Sequence, residues 1–580
     1  MSRTDKLTAR WTRFMNRVQA RRAAWARPAT AFVSQPEPRT IGSFARGRQL
    51  SAGNFLLAGH LVQRPDADMW AIKPPDSAFE EALHGFGWLD DLAAAGDGPA
   101  RECARRWLWD WIDRYGQGRG PGWTPDLTGR RLIRWINHAL FVLSGPGADR
   151  ADVFYRSLAQ QTLFLGKRWQ STAPGLPRFE ALTGLIYAGL SLEGMQRHVA
   201  PAVRALGREC ESQITERGLL PTRNPEELLE VFTLLTWAAT ALSDAGQTAA
   251  PSHWAAIEQI APILRTLRHA DGGLARFHGG GRGLEGRLDT ALAHSGVKTR
   301  QPDGLAMGFA RLSAGRTSMI IDASAPPSGN ASLNAHASTL AFELTSGRRP
   351  LIVNCGAGDS FGAEWRRAGR ATPSHSTLVL GGESSARLGP PGPRENRLEG
   401  GPKNVPIQLS HASDGLRFEG GHDGYLRRFG LIHARTLDMT FDGRAIVGED
   451  MLLALEDSDK RRFDKALDAT RLSGIRFAVH FHLHPNVDAA VDLGGNAVSM
   501  ALRSGEIWVF RSDTSAEIAL EPSVYLEKGR LKPRASKQIV LSGRAMGYAT
   551  RTRWSLAKAQ DTPVSIRDLA QDDLMPDADD

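Results

Sequence analysis

NAHASTLAFELTSGRRPLIVNCGAG, residues 334–358, contains two short β-rich runs, TLAFELTSG and PLIVN, and no apolar period long enough for a helix. Outward from it the pattern repeats. TSMIIDAS lies upstream, and STLVLGG, LDMTFDGRAIVGED, IRFAVHFHLH, AVSMALRSG and EIWVFR follow downstream. Asp442-Gly443 and Ser504-Gly505 sit between such runs as turn-forming pairs. Many strands at close spacing predict stacked antiparallel sheets.

Before about residue 271 the period is different. ARECARRWLWDWIDRYG (100–116) brings Cys103, Trp107, Trp111 and Ile112 near one face at three- and four-residue spacing. GRRLIRWINHALFVL, ADVFYRSLAQQTLFLGKRW, RFEALTGLIYAGLSLEGM, EELLEVFTLLTWAATALSDAG and SHWAAIEQIAPILRTL continue as helices with short breaks. Such helices must pack on one another, as a bundle or as a toroid of hairpins, and periodicity does not choose between the two. The expected division is an amino-terminal arm (1–80), a helical domain (81–270), a glycine-rich linker (271–305), a β domain (306–560) and an acidic tail (561–580).

A chain of 580 residues is too long for one core, so two large domains fit its size. Its net charge of +9 favours an anionic partner. No basic arm, zinc finger or RNA-binding signature occurs, so an acidic polysaccharide is preferred to a nucleic acid. Fifteen Trp against six Tyr suit either sugar stacking or a helical core. Cys103, Cys210 and Cys355 match no disulfide or metal spacing. No apolar run of about 18 residues predicts a membrane span. The amino-terminus MSRTDKLTARWTRFMNRVQARRAAW is basic and shows no signal-peptide pattern.

Residues 334–358, followed by RATPSHSTLVLGG (370–382), resemble the carboxy-terminal domain of the heparinase II/III family. GGHDGYLRRFGLIHARTLDM (420–439) and RFAVHFHLHPNV (476–487) are similar to it too, and GRRLIRWINHA and GLLPTRNPEELLE look like the toroid of its alphaproteobacterial members. The resemblance implies an (α/α) toroid followed by an antiparallel β-sandwich. It also implies β-elimination on a uronate-containing polysaccharide, with the cell envelope or periplasm as location; the absent signal pattern makes the cytoplasm the alternative. Elimination needs the carboxylate neutralised, the proton alpha to it removed and the leaving oxygen protonated.

By resemblance His336 and His375 align with family histidines that hold zinc or line the cleft, and Asn354 stands where the third ligand is an Asp. His336, Asn354 and His375 are thus the metal set, with zinc as the implied cofactor. Asn334 occupies the place of the first family His and is unable to act as a base, although its amide suits a carboxylate. Ser338 replaces a supporting Asp. His336, His375 and Tyr425 are the acid/base candidates, with Tyr425 as the aromatic acid, and Asn334 counts with them among the catalytic positions. Arg223 and Asn224, the substrate-binding candidates here, fall where other members carry an Arg-Ser-Pro segment followed by a catalytic Tyr, whose place Glu227 takes; Asn224, Pro225 and Glu227 also read as a helix start. Arg178 is a possible carboxylate clamp. Arg131 and Trp135 share a helix face with His138, suiting a sugar carboxylate and ring, or equally a packed core. His482 and His484 share a strand face.

A lyase on an anionic polysaccharide is therefore the leading expectation. A catalytically silent glycan-binding protein of envelope or exopolysaccharide assembly is kept alive by Asn334, Ser338, Asn354 and Glu227. A hydrolase ranks last, since Glu226, Glu227 and Glu230 lie on one helix without an evident partner carboxylate.

Overall fold

The computed structural model describes residues 3–561, apart from 26–28, 30, 66–67, 145–149, 216, 300–303, 393 and 514–515. The expected acidic tail lies outside the described residues from 562 onward. Two compact units are present: one comprises residues 1–220, 227–262 and 286–299, the other residues 221–226, 263–285 and 300–580.

The first unit is built of helical hairpins of the toroid type. Gly98–Tyr115 starts where Asp97 caps the Ala100 amide, with Pro99 in the first turn, where its missing N–H costs nothing. Pro125–Asn137 and Leu176–Ser191 form the tightest helix pair, and glycine sets their approach. A Cβ on Gly129 would lie 2.3 Å from the Glu180 carbonyl oxygen, and one on Gly184 would lie 2.5 Å from the Gly129 Cα. Most tryptophans fill this core: Trp88, Trp107, Trp111 and Trp135 are fully buried, with Trp111 edge-on to Trp135 at 5.5 Å. A short hairpin, Asn54–Leu57 with His60–Gln63, interrupts the helices. Its four-residue strands are too short to show a period in the sequence.

The second unit is a β-sandwich of two eight-stranded sheets, antiparallel throughout. Ile475–Leu483 is central in one, between Arg534–Ala545 and the short strands Arg349–Val353 and Leu378–Leu380. Ala445–Leu453 is central in the other, between Ile432–Thr440 and Ala549–Gln560. Ile432–Thr440 alternates buried and half-exposed residues along its length, as a strand with one face in the core must. Between the sheets Phe481 and Phe342 pack on Trp554, with Phe481 4.8 Å away. Among the described residues three helices depart from the β-rich expectation, the short Ala363–Gly369 and Leu426–Phe429 and the longer Asp457–Ala469, the last opened by a reciprocal Glu456–Asp459 capping box. Its DSDKRRFDKALDA sequence buries little beyond Phe463, so it carries almost no apolar period.

Candidate functional site

A cluster of polar side chains in the β-sandwich unit is centred on Asp322, which is fully buried at the end of Thr317–Asp322. A buried carboxylate needs partners. Arg223 Nη2 donates to Oδ1 at 2.6 Å and Ser338 Oγ donates to Oδ2 at 2.7 Å, while His278 Nε2 lies 3.5 Å from Oδ2. Ser338 thus supports the cluster by donating to a carboxylate that the strand Thr317–Asp322 supplies.

The two leading histidines meet directly, with His336 Nδ1 3.0 Å from His375 Nε2. Their tautomers follow from the outer partners. The Gly279 N–H donates to His336 Nε2 at 3.0 Å, so the proton of His336 sits on Nδ1 and points to His375 Nε2. His375 then carries its proton on Nδ1 and donates it to the Ala371 carbonyl at 2.8 Å. All four ring nitrogens are engaged, and the rings are 1% and 0% exposed. Burial pulls His375 down to about 4. His336 lies well below its ordinary value through burial, followed by the neighbouring His375 and His278. Both are neutral near pH 7.

The implied zinc set fails on its donors. His336 and His375 have no uncommitted lone pair, and Asn354 Oδ1 accepts the Ser376 N–H at 3.1 Å. Among the described residues no group of three His, Cys, Asp or Glu side chains is arranged to hold a metal ion. These residues do not fit zinc.

Tyr425 is 1% exposed and donates its hydroxyl to the Leu378 carbonyl at 2.8 Å, with its pKa raised by burial. It is a sandwich core residue with a satisfied hydroxyl, so replacing it with Phe is expected to cost about 1 kcal/mol in thermal unfolding. Arg223 spends every N–H: on Met307, Ser324, Ala325 and Gly308 carbonyls and on Asp322. No donor remains for a substrate carboxylate. Asn224 Oδ1 accepts the Glu226 N–H at 3.0 Å, the geometry of a helix cap.

In the helical unit, Arg131 is fully buried. It donates to Gln161, Thr128 and the His84 and Gly122 carbonyls, and lies 4.1 Å from the Trp111 ring centroid. Trp135 is 0% exposed and stacks on Phe154. Arg178 is held by Glu209 and the Thr172 carbonyl. The packing reading of these three residues accounts for every contact they make. Of the acidic residues of the hydrolase reading, Glu226 pairs with Lys528 at 2.7 Å and Glu230 with Arg287. His482 is likewise internal, between Ser523 Oγ and the Pro373 carbonyl.

Asn334 alone among these candidates is exposed. Its Oδ1 accepts from Arg366 Nη2 at 2.8 Å, and Trp365 beside it is 36% exposed. Sequence reading passed over Trp365, Arg366, His278 and Asp322. AEWRRAG carries an aromatic next to a basic pair, and TSMIIDAS carries an acid inside an apolar run, where a buried charge demands a partner. Both were available signals.

Four likenesses bear on this geometry. The family model described as heparinase II/III-like, C-terminal, matches residues 296–555. The chain is 30% identical over 563 residues to FtsZ-localized protein C of Caulobacter vibrioides (strain NA1000 / CB15N), covering 93% of this chain and 92% of that protein. Among solved structures, heparinase III superposes with a TM-score of 0.66 at 12% identity, covering 94% of this chain and 89% of that one. A heparan sulfate lyase HepC mutant from Pedobacter heparinus gives 0.57 at 16% identity, covering 94% and 88%. At these identities the structural likeness speaks for the fold. No helix among the described residues is long and apolar enough to cross a membrane.

Proposed function

Because the chain belongs to the heparinase II/III-like family, a family of polysaccharide lyases, we propose that its ligand is an acidic, uronate-containing polysaccharide engaged at the exposed Asn334–Arg366 edge of the β-sandwich unit. The observation that carries this is the pair itself. Arg366 holds Asn334 by its carbonyl oxygen, which leaves the amide N–H2 for a carboxylate, with Trp365 and Arg367 adjacent. Amide and guanidinium donors together are what a uronate carboxylate requires.

For elimination, this edge supplies carboxylate neutralisation, and His336, one of the acid/base candidates, would have to serve as base in place of the first family histidine, which Asn334 replaces. Its Nε2 accepts the Gly279 amide, so abstraction requires the 279–281 glycine run to yield that hydrogen bond. The commitment of all four imidazole nitrogens favours a second reading, binding without cleavage, as in a glycan-binding protein of envelope or exopolysaccharide assembly. A relative named for its localisation to FtsZ suits a protein that works by position.

One experiment separates the two. The purified chain is incubated with a panel of uronate-containing polysaccharides, and ultraviolet absorbance of the unsaturated product is followed beside retention on the same immobilised glycans. A lyase gives absorbance that H336A abolishes; retention without absorbance establishes the binding reading. In either case R366A is expected to weaken retention about tenfold. Retention unaffected by both R366A and N334A would remove this edge from the proposal.

A further inference from the structure

The helix Arg3–Ala23 has two contrasting faces, and only one of them is used by the fold. Asn16, Ala20 and Ala23 are buried, and the helix packs with this face on Ala151–Arg168 of the helical unit. Asn16 Oδ1 accepts from Arg168 Nε at 2.8 Å, and a Cβ on Gly118 would lie 2.6 Å from the Ala20 carbonyl carbon. At 3.6 residues per turn, Leu7, Trp11, Phe14 and Val18 fall on the opposite side. Leu7, Trp11 and Phe14 are each more than half exposed, and the Trp11 and Phe14 ring centroids lie 5.7 Å apart. Trp25, just past the helix, is exposed as well. Single exposed apolar residues need no explanation, but a stripe at four- and three-residue spacing is a surface.

The charges beside the stripe are of one sign. Arg10, Arg17 and Arg21 line one edge of it and Arg22 the other, and all four are exposed. Between residues 6 and 25 the sequence holds six Lys and Arg and no Asp or Glu. The stripe runs roughly 16 Å along a convex helix surface, from Leu7 to Val18, a shape that meets a plane. A helix lying in a membrane interface buries such a stripe among acyl chains, while its arginines reach up to the headgroups and its tryptophans sit at the boundary.

We propose that Arg3–Ala23 docks the helical unit on an anionic lipid surface. Leu7, Trp11, Phe14 and Val18 enter the acyl boundary, and the flanking arginines pair with lipid phosphates. Asn16, Ala20 and Ala23 stay packed meanwhile, so docking requires no unfolding of the unit. The assignment is independent of the Asn334–Arg366 reading: it concerns another unit, other residues and another class of ligand.

The test is flotation of the full-length protein with vesicles of phosphatidylcholine, alone or with about one third phosphatidylglycerol. The protein is expected to float with the anionic vesicles and to bind the neutral ones at least about tenfold more weakly, since each arginine near an anionic surface is worth about fivefold. Raising the salt concentration should weaken the anionic binding. W11A/F14A and R10Q/R17Q/R21Q are each expected to weaken it at least about tenfold. Both variants should keep the parent melting temperature, because the substituted side chains are exposed, and should retain immobilised glycan as the parent does. Equal binding to neutral and anionic vesicles, or flotation indifferent to W11A/F14A, would overturn the proposal. So would failure to float; a W11A-sensitive dimer in solution would then assign the stripe to a second copy of the chain.

Discussion

Lowering the pH from 7 toward 4 unfolds the β-sandwich unit before the helical unit. His375 and His482, with folded values of about 4, and His484, at about 3, are depressed chiefly by burial from an ordinary 6.5. Below 6.5 the unfolded chain takes up protons that these rings refuse while folded, so their stability contribution is intact above that pH and drains as pH falls to their folded values. Each loses about 3 kcal/mol by pH 4, and three together approach the whole stability of a typical domain. Glu343, held near 2 against its own burial mainly by Arg276 and His269, adds a loss in the same direction below 4.5. The helical unit has His84 at about 3 and His253 at about 4, but burial also raises Asp91 to about 6 and Glu180 to about 7. Those two carboxyls hold protons more tightly when folded, which offsets part of the loss. Hydrogen exchange read by mass spectrometry from pH 7 to 4 should show residues 317–545 losing protection first. Equal protection of both units at pH 4.5 would refute this account.

R223A is expected to destabilise the β-sandwich unit by about 3–5 kcal/mol while leaving glycan retention per folded molecule unchanged. The guanidinium satisfies four carbonyls and the buried Asp322, so truncation strands a carboxylate that is 0% exposed. Adding D322N to R223A should recover part of the loss, because it removes the unpaired charge. Calorimetric unfolding measures the first effect and immobilised-glycan retention the second. A variant as stable as the parent chain but unable to retain glycan would return Arg223 to the role of carboxylate clamp that its family position implies.

Much of the fold was legible in the one-dimensional pattern. Period-two runs after residue 305 and long three-to-four-residue periods before it follow from which faces are buried, and burial writes itself into local sequence. The Asp457–Ala469 helix was not legible, because it rests on one buried Phe and a cap instead of an apolar stripe. The adjacency of the His336, Asn354 and His375 motifs was legible. The pairing of His336 with His375 and the nearness of Asn354 to Ser376 agree with the neighbourhood that the family motifs implied.

Roles are another matter. A sequence shows that Arg131, Arg178, Arg223 and Tyr425 carry donors, and chemistry makes each a reasonable partner for a sugar acid. Whether those donors are free depends on carbonyls and carboxylates far away in the chain: Asp322 is 99 residues from Arg223, and Leu378 is 47 from Tyr425. Hydrogen-bond capacity is local to a residue, but its consumption is set by tertiary contacts. By itself the sequence determined the order of helices and strands and the family they belong to. Only the folded chain decided that Arg131, Arg178, Arg223, His336 and His375 are spent internally, and that Asn334 stays exposed.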